Sequence, residues 1–125
     1  MIWNYFYIAI FGVLGCWARF ATSQLIQGLW GNNFPYATLF INVSGAFIMG
    51  FLFVLTLERL TISPPVRAGV LTGFLGGYTT FSTYALEALT LAEAGQGFSA
   101  GLYVVLSNGL GVLAAFVGAF IARSL

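Results

Sequence analysis

Charged and titratable side chains are scarce in this chain of 125 residues. Only 6% of the residues are charged, histidine, lysine and aspartate are absent, and the net charge is +1. A soluble domain carries about 25% charged residues, so the composition excludes a water-soluble fold. Without a basic patch no nucleic-acid partner is expected, and no protein partner is implied. The lack of histidine and aspartate leaves no familiar pair of nucleophile and base, which argues against an enzyme.

Cysteine is nearly absent, and a basic leader is missing. The single thiol, Cys16, excludes an internal disulfide and a cysteine-based metal site. The first residues, Met1 to Tyr5, lack the basic region of a secretory signal, so no cleavable signal peptide is expected.

Apolar residues dominate instead, at 60% of the chain, and the mean hydropathy is +0.97. A membrane-spanning helix needs about 20 mainly apolar residues, and turn-forming Gly, Asn and Pro separate four such stretches here. The pattern predicts a single all-helical integral membrane domain over residues 1–125. Its four transmembrane helices are expected at about 3–26, 36–57, 65–92 and 98–121.

The third of these segments contains an unusual polar run. Residues 76–84 read GGYTTFSTY, so two glycines and several hydroxyl groups lie at membrane depth. Irregular backbone survives there only where protein or a water-filled cavity surrounds it. We therefore expect the third helix to be broken at 76–80 and to line a path for a small polar species.

Aromatic rings follow the break at helical spacing. Phe81 and Tyr84 are three residues apart and share one helix face. A ring edge carries partial positive charge and can approach an anion without adding a full charge. The alternative is an ordinary core or lipid-facing pair. The neighbouring hydroxyls, Ser82 and Thr83, would then bond only to their own backbone.

Polar side chains also occur inside the second and fourth segments. Asn42 has Thr38 one turn before it, and a buried amide needs hydrogen-bond partners. Its NH₂ group suits an anion, but an interhelical hydrogen bond is an equal alternative. Ser107, with Asn108 beside it and Tyr103 one turn earlier, allows the same two interpretations.

Two charges lie within or near the membrane, where ionisable residues indicate functional sites. Arg19 could attract anions to a pore mouth or extend its guanidinium to the interface. Glu87 lies one turn after Thr83 and could carry protons, align hydroxyl donors or form a salt bridge.

The sequence gives weaker signals for the orientation of the chain in the membrane and for its oligomeric state than for its helices. With four spans, Arg59, Arg67 and Arg123 lie on the same side as both termini, which favours cytoplasmic termini. Four helices of this length enclose little space, so we expect a homo-oligomer, most simply a dimer.

Three motifs resemble those of the Fluc (CrcB) family of bacterial fluoride channels, over nearly the whole chain. They are GCWARF at 15–20, TLFINVSG at 38–45, and GFLGGYTTFSTY at 73–84 followed by Glu87. The resemblance implies a passive, highly selective channel that exports fluoride across the bacterial cytoplasmic membrane and relieves fluoride toxicity. It also implies an antiparallel, dual-topology homodimer in the lipid bilayer, with two pores and a structural Na⁺ at its centre.

The resemblance assigns roles by motif position. Main-chain carbonyls of Gly76 and Thr79 would hold Na⁺, and Arg19 would occupy the vestibule. Two departures are Tyr84, where the family has a second phenylalanine, and Gly111, where some relatives have a serine. The expected fluoride pore comprises Thr38, Asn42, Phe81, Ser82, Thr83, Tyr84, Glu87, Tyr103 and Ser107.

Two other functions fit the composition. One is a small proton-coupled four-helix exporter, for which Glu87 is the one suitable carboxylate. The other is a non-transporting membrane assembly subunit, which explains glycine packing faces but not the clustered hydroxyls.

Replacing Glu87 by Gln separates the channel from the exporter. A coupled exporter loses transport with its titratable carboxylate, whereas passive fluoride flow continues without a pH gradient. A fluoride electrode monitoring efflux from liposomes measures this, with Glu93→Gln as the matched control. Loss of all flux in Glu87→Gln alone would favour the exporter.

Overall fold

The structure, a computed structural model, describes residues 1–125, and every regular element in it is a helix. We number the helices α1 to α5 in chain order, and short connections join them. They are α1 (Ile2–Trp30), α2 (Tyr36–Arg59), α3 (64–78), α4 (Phe81–Glu93) and α5 (Gly97–Ser124). The prediction of an all-helical chain is therefore confirmed.

Three helices, α1, α2 and α5, are long and apolar enough to cross a bilayer. Each extends beyond its expected end, and α1 continues to Trp30 rather than to residue 26. It stops where Gly31 adopts a φ of 73°, a conformation that glycine adopts without steric cost. These helices are those of a multi-pass membrane protein.

Two segments have the wider π-helical hydrogen-bonding pattern. Leu55–Arg59 forms the last turn of α2, and Gly69–Leu75 forms the middle of α3 between α-helical stretches Pro64–Ala68 and Gly76–Tyr78. π-Helical turns are rare and occur frequently near functional sites. The longer of the two lies one short α-helical turn, Gly76–Tyr78, before the interruption in the third predicted segment.

The helices pack as two pairs that share the polar region between them. α2 packs mainly against α5, and α1 packs against α3. Small residues allow the close approach, since a Cβ atom on Gly50 would collide with the carbonyl of Ala115. Likewise, a Cβ on Gly15 would collide with the carbonyl of Phe74.

The interior of the single chain is small. Only 18 of 125 residues are buried, and the largest fully buried side chain is that of Tyr103. Large apolar side chains such as Phe81, which is 77% exposed, cover most of the surface. Contiguous apolar surface on this scale requires lipid or another protein chain to cover it.

Candidate ion-binding site at the helix interruption

Helical backbone is interrupted at Thr79 and Thr80, which separate α3 from α4. Thr79 has φ −83° and ψ 160°, and Thr80 has φ −150° and ψ 122°, so both are extended. The sequence placed the break from residue 76 onwards, but Gly76–Tyr78 keep helical dihedrals. Gly77 does not end the helix but allows α1 and α3 to pack closely. A Cβ atom there would lie 2.7 Å from the carbonyl oxygen of Gly12 in α1.

The side-chain amide of Asn42 pairs with the peptide groups of Thr80. Its Nδ2 donates to the Thr80 carbonyl at 2.8 Å, and its Oδ1 accepts from the Thr80 N–H at 2.8 Å. The extended backbone loses its helical partners, and this one side chain replaces two of them. Of the two alternatives left open by the sequence, the structure therefore contains the interhelical hydrogen bond. One Nδ2 hydrogen remains for another acceptor.

Arg19 reaches the interruption from α1. Its Nε donates to the carbonyl of Gly77 at 3.0 Å, in a partly buried position. A cation at the carboxyl end of a helix is favourable, because the last carbonyls carry partial negative charge. Arg19 is therefore attached to the end of α3, while its two Nη groups form no hydrogen bond within the chain.

Three carbonyls at the interruption, those of Gly76, Tyr78 and Thr79, accept no hydrogen bond. The end of a helix leaves its last carbonyls without intrahelical donors, and here Arg19 occupies that of Gly77. Gly76 is exposed, with no atom within 4 Å of the position a Cβ would take, so its surroundings are open. Free main-chain oxygens are ligands for a hard cation.

A pocket of about 300 Å³ lies beside the interruption, between α2, α4 and α5. It brings together four of the predicted pore residues: Asn42, Phe81, Tyr84 and Ser107. The Ser107 hydroxyl is buried and has no hydrogen-bond partner. Its full lining is Asn42, Gly45, Ala46, Met49, Thr79, Thr80, Phe81, Tyr84, Ser107 and Asn108.

Sequence reasoning did not assign Gly45, Ala46 and Met49 to the site, and it named Asn108 as a candidate without including it in the expected pore. The first three lie three, four and seven residues after Asn42, so they share its helix face, and that spacing was the available signal. Gly45 is needed for close approach, because a Cβ there would collide with the side chain of Thr79.

An aromatic and acidic cluster adjoins this pocket through Tyr84. The Phe81 and Tyr84 ring centroids are 5.5 Å apart, and the edge-on Tyr84 and Tyr103 rings are 5.3 Å apart. The Tyr103 hydroxyl donates to Glu87 Oε1 at 2.9 Å. Glu87 in turn lines a second pocket of about 190 Å³ next to the 31–35 loop. The first pocket, the cluster and the second pocket therefore follow one another in space along α4 and are lined by polar and aromatic side chains.

The remaining predicted pore residues lie outside the two pockets. Ser82 is exposed and forms no hydrogen bond, while the Thr83 N–H donates to Thr80 Oγ1 at 3.3 Å as a helix cap. Thr38 is 5% exposed and lines neither pocket. The structure thus joins most predicted residues into one region but leaves Ser82 and Thr83 on its open side.

Comparisons with known proteins agree on one family. A family model described as "CrcB-like protein, Camphor Resistance (CrcB)" matches residues 6–119. A protein named "Fluoride-specific ion channel FluC" from Acidithiobacillus ferrooxidans is 54% identical over 118 residues, covering 94% of each chain. The protein of that name from Roseiflexus sp. is 43% identical over 98% of each chain. The one from Methylococcus capsulatus is 51% identical over 96% of this chain and 53% of its own length.

Replacing Asn42 by Leu tests whether its amide holds the interruption. The variant leaves the Thr80 N–H and carbonyl unpaired, at about 1–3 kcal/mol each, so its melting temperature in detergent should fall. Hydrogen exchange at the Thr80 amide should accelerate. Asn108→Leu is the matched control, because the Asn108 amide forms no hydrogen bond. Equal effects of the two substitutions would contradict a positioning role for Asn42.

Proposed function

This chain belongs to the CrcB family, and from that premise we propose that it is a fluoride-selective passive ion channel. The relatives that it matches are named as ion channels, and the chain is accordingly not an enzyme. Its physiological role would be to export fluoride across the bacterial cytoplasmic membrane and so relieve fluoride toxicity.

The observation that carries this proposal is the pocket of about 300 Å³ beside the interruption. A fluoride ion that leaves water needs replacement donors, since an unpaired ion in a low-dielectric interior is costly. The unpartnered Ser107 hydroxyl and the remaining Asn42 N–H supply such donors at membrane depth. The ring edges of Phe81 and Tyr84 add partial positive charge between them.

The path continues along α4. The phenol of Tyr84 lies in the pocket lining, and its ring contacts Tyr103, whose hydroxyl is held by Glu87. We assign these groups to the second half of the path, which opens at the pocket beside the 31–35 loop. The carboxylate of Glu87 aligns the Tyr103 hydroxyl in this assignment, instead of carrying protons.

A second copy of the chain would complete the pore. Phe81, which lines the pocket, and Ser82 beside it are exposed on the single chain. We propose an antiparallel, dual-topology homodimer with two pores, in which the partner closes the path over Ser82 and Thr83. Thr38, which is buried in α2, would support the Tyr103 side of the path.

A structural Na⁺ at the dimer centre fits the free carbonyls of Gly76 and Thr79. They lie at the partially negative carboxyl end of α3 and accept no hydrogen bond. Four such oxygens, two from each copy, would give a hard cation the ligands it prefers. When bound, the ion would neutralise the facing helix ends. Arg19, held by Gly77 with its Nη groups free, would raise the local anion concentration at the vestibule.

Replacing Phe81 by Ile tests the pore assignment, because the variant keeps apolar bulk but loses the ring edge. Fluoride efflux from liposomes should fall at least about 100-fold, equivalent to a barrier raised by about 2.7 kcal/mol. Chemical cross-linking should still detect the dimer. Phe116→Ile, at a ring that is 72% exposed on α5, is the control and should conduct normally. Unchanged flux in Phe81→Ile would contradict the assignment.

Sodium binding can be measured separately from conduction. Protein purified in N-methylglucamine buffer should bind Na⁺ saturably in a calorimetric titration, with one ion for two chains. Potassium should bind more weakly, because it is too large for the same oxygens. The absence of any saturable Na⁺ heat from a folded dimer would contradict the sodium site and leave the fluoride path untouched.

A further inference from the structure

Three arginines lie at the end of the molecule that carries the α2–α3 connection, and they differ in their partners. Arg123 forms the ion pair of this region, with its Nε 3.5 Å from Glu58 Oε1. Arg59 donates to the main-chain carbonyls of Leu125 and Arg123, at 2.9 and 2.8 Å. Arg67 has no carboxylate within 4 Å. Arg67 therefore forms no ion pair with an acid of this chain.

The Arg67 guanidinium is nevertheless held in a fixed place. Its Nε donates to Thr56 Oγ1 at 3.0 Å, and its central carbon lies 4.9 Å from the centroid of the Phe53 ring. Nη2 is buried without a hydrogen-bond partner, and Nη1 is not buried and forms no hydrogen bond either. A partly buried, oriented and unpaired cation is costly unless an anion accompanies it.

Next to this guanidinium is a pocket of about 350 Å³ with an apolar wall. Leu57, Ile62, Pro64 and Leu71 form the wall, and Arg67 and Thr72 supply its polar groups. A small water-borne anion would pair with the guanidinium but leave the apolar wall uncovered. A ligand with an anionic head and an apolar tail matches both parts.

We propose that this pocket binds a membrane phospholipid, with its phosphate on Arg67 and the start of an acyl chain against the apolar wall. Arg67 lies one turn inside α3, about 5 Å along the helix axis from the α2–α3 loop. An arginine one turn from the end of an apolar helix is at a position from which a lipid phosphate can be reached. Nη1 is the guanidinium nitrogen left to donate, since Nε is bonded to Thr56 and Nη2 is buried, and its hydrogen bond to a phosphate would be charge-assisted. The charge complementarity selects the lipid. This site is independent of fluoride conduction.

Native mass spectrometry of the detergent-purified protein, titrated with phosphatidylglycerol, tests the site. Wild type should retain one phospholipid per chain, and Arg67→Gln should bind it about tenfold more weakly, the loss of one charge-assisted contact. Arg67→Lys keeps the charge but loses the Nε hydrogen bond to Thr56 that orients the guanidinium, so it should lie between the two. Arg123→Gln is the matched control, since that arginine is already paired with Glu58, and it should bind as wild type does.

Two further measurements keep the proposal open to refutation. Ala68→Leu fills part of the pocket while leaving the guanidinium in place, so it should also reduce phosphatidylglycerol binding. This variant decides the matter if Arg67→Gln does not fold, as judged by circular dichroism. Inorganic phosphate should not displace the lipid. Wild-type binding in Arg67→Gln or in Ala68→Leu, an equal loss in Arg123→Gln, or full displacement by inorganic phosphate would each overturn the proposal.

Discussion

The pair of hydrogen bonds between the Asn42 amide and the Thr80 peptide is the interaction on which the rest of this site depends. Extended backbone at membrane depth leaves an N–H and a carbonyl without helical partners, and hydrocarbon offers none. Asn42 satisfies both at 2.8 Å. With Thr80 fixed in this way, α4 starts at Phe81 and directs Phe81 and Tyr84 to the pocket that Asn42 itself lines.

On the other side of the interruption, Arg19 satisfies a main-chain carbonyl at the end of α3. It binds the Gly77 carbonyl from α1, while Gly45 and Gly77 allow α2 and α1 to approach the extended segment closely. Arg19 and Asn42 occupy the carbonyls of Gly77 and Thr80, whereas those of Gly76, Tyr78 and Thr79 accept no hydrogen bond. One local arrangement therefore produces both the donor-lined pocket for an anion and the free oxygens suited to a cation.

The helical class, the family and the hydroxyl-rich segment could be predicted from composition and motifs. The contacts could not, because they join residues far apart in the chain. Arg19 and Gly77 are 58 residues apart and Asn42 and Thr80 are 38 apart, so neither pairing has a local signal. The start of the extended segment was misplaced for another reason. Gly76 and Gly77 look like helix breakers, but both keep helical dihedrals, and Gly77 is a packing residue against α1.

The most direct test of the account is halide efflux from liposomes that contain the purified wild-type protein. Fluoride and chloride electrodes would follow release under an imposed K⁺ gradient with ionophore and without a pH gradient. The account predicts rapid fluoride release without chloride release. Tyr84 would then be compatible with conduction at the position where the family has a second phenylalanine. No fluoride release from a correctly folded protein, or equal release of chloride, would contradict a fluoride-selective passive channel.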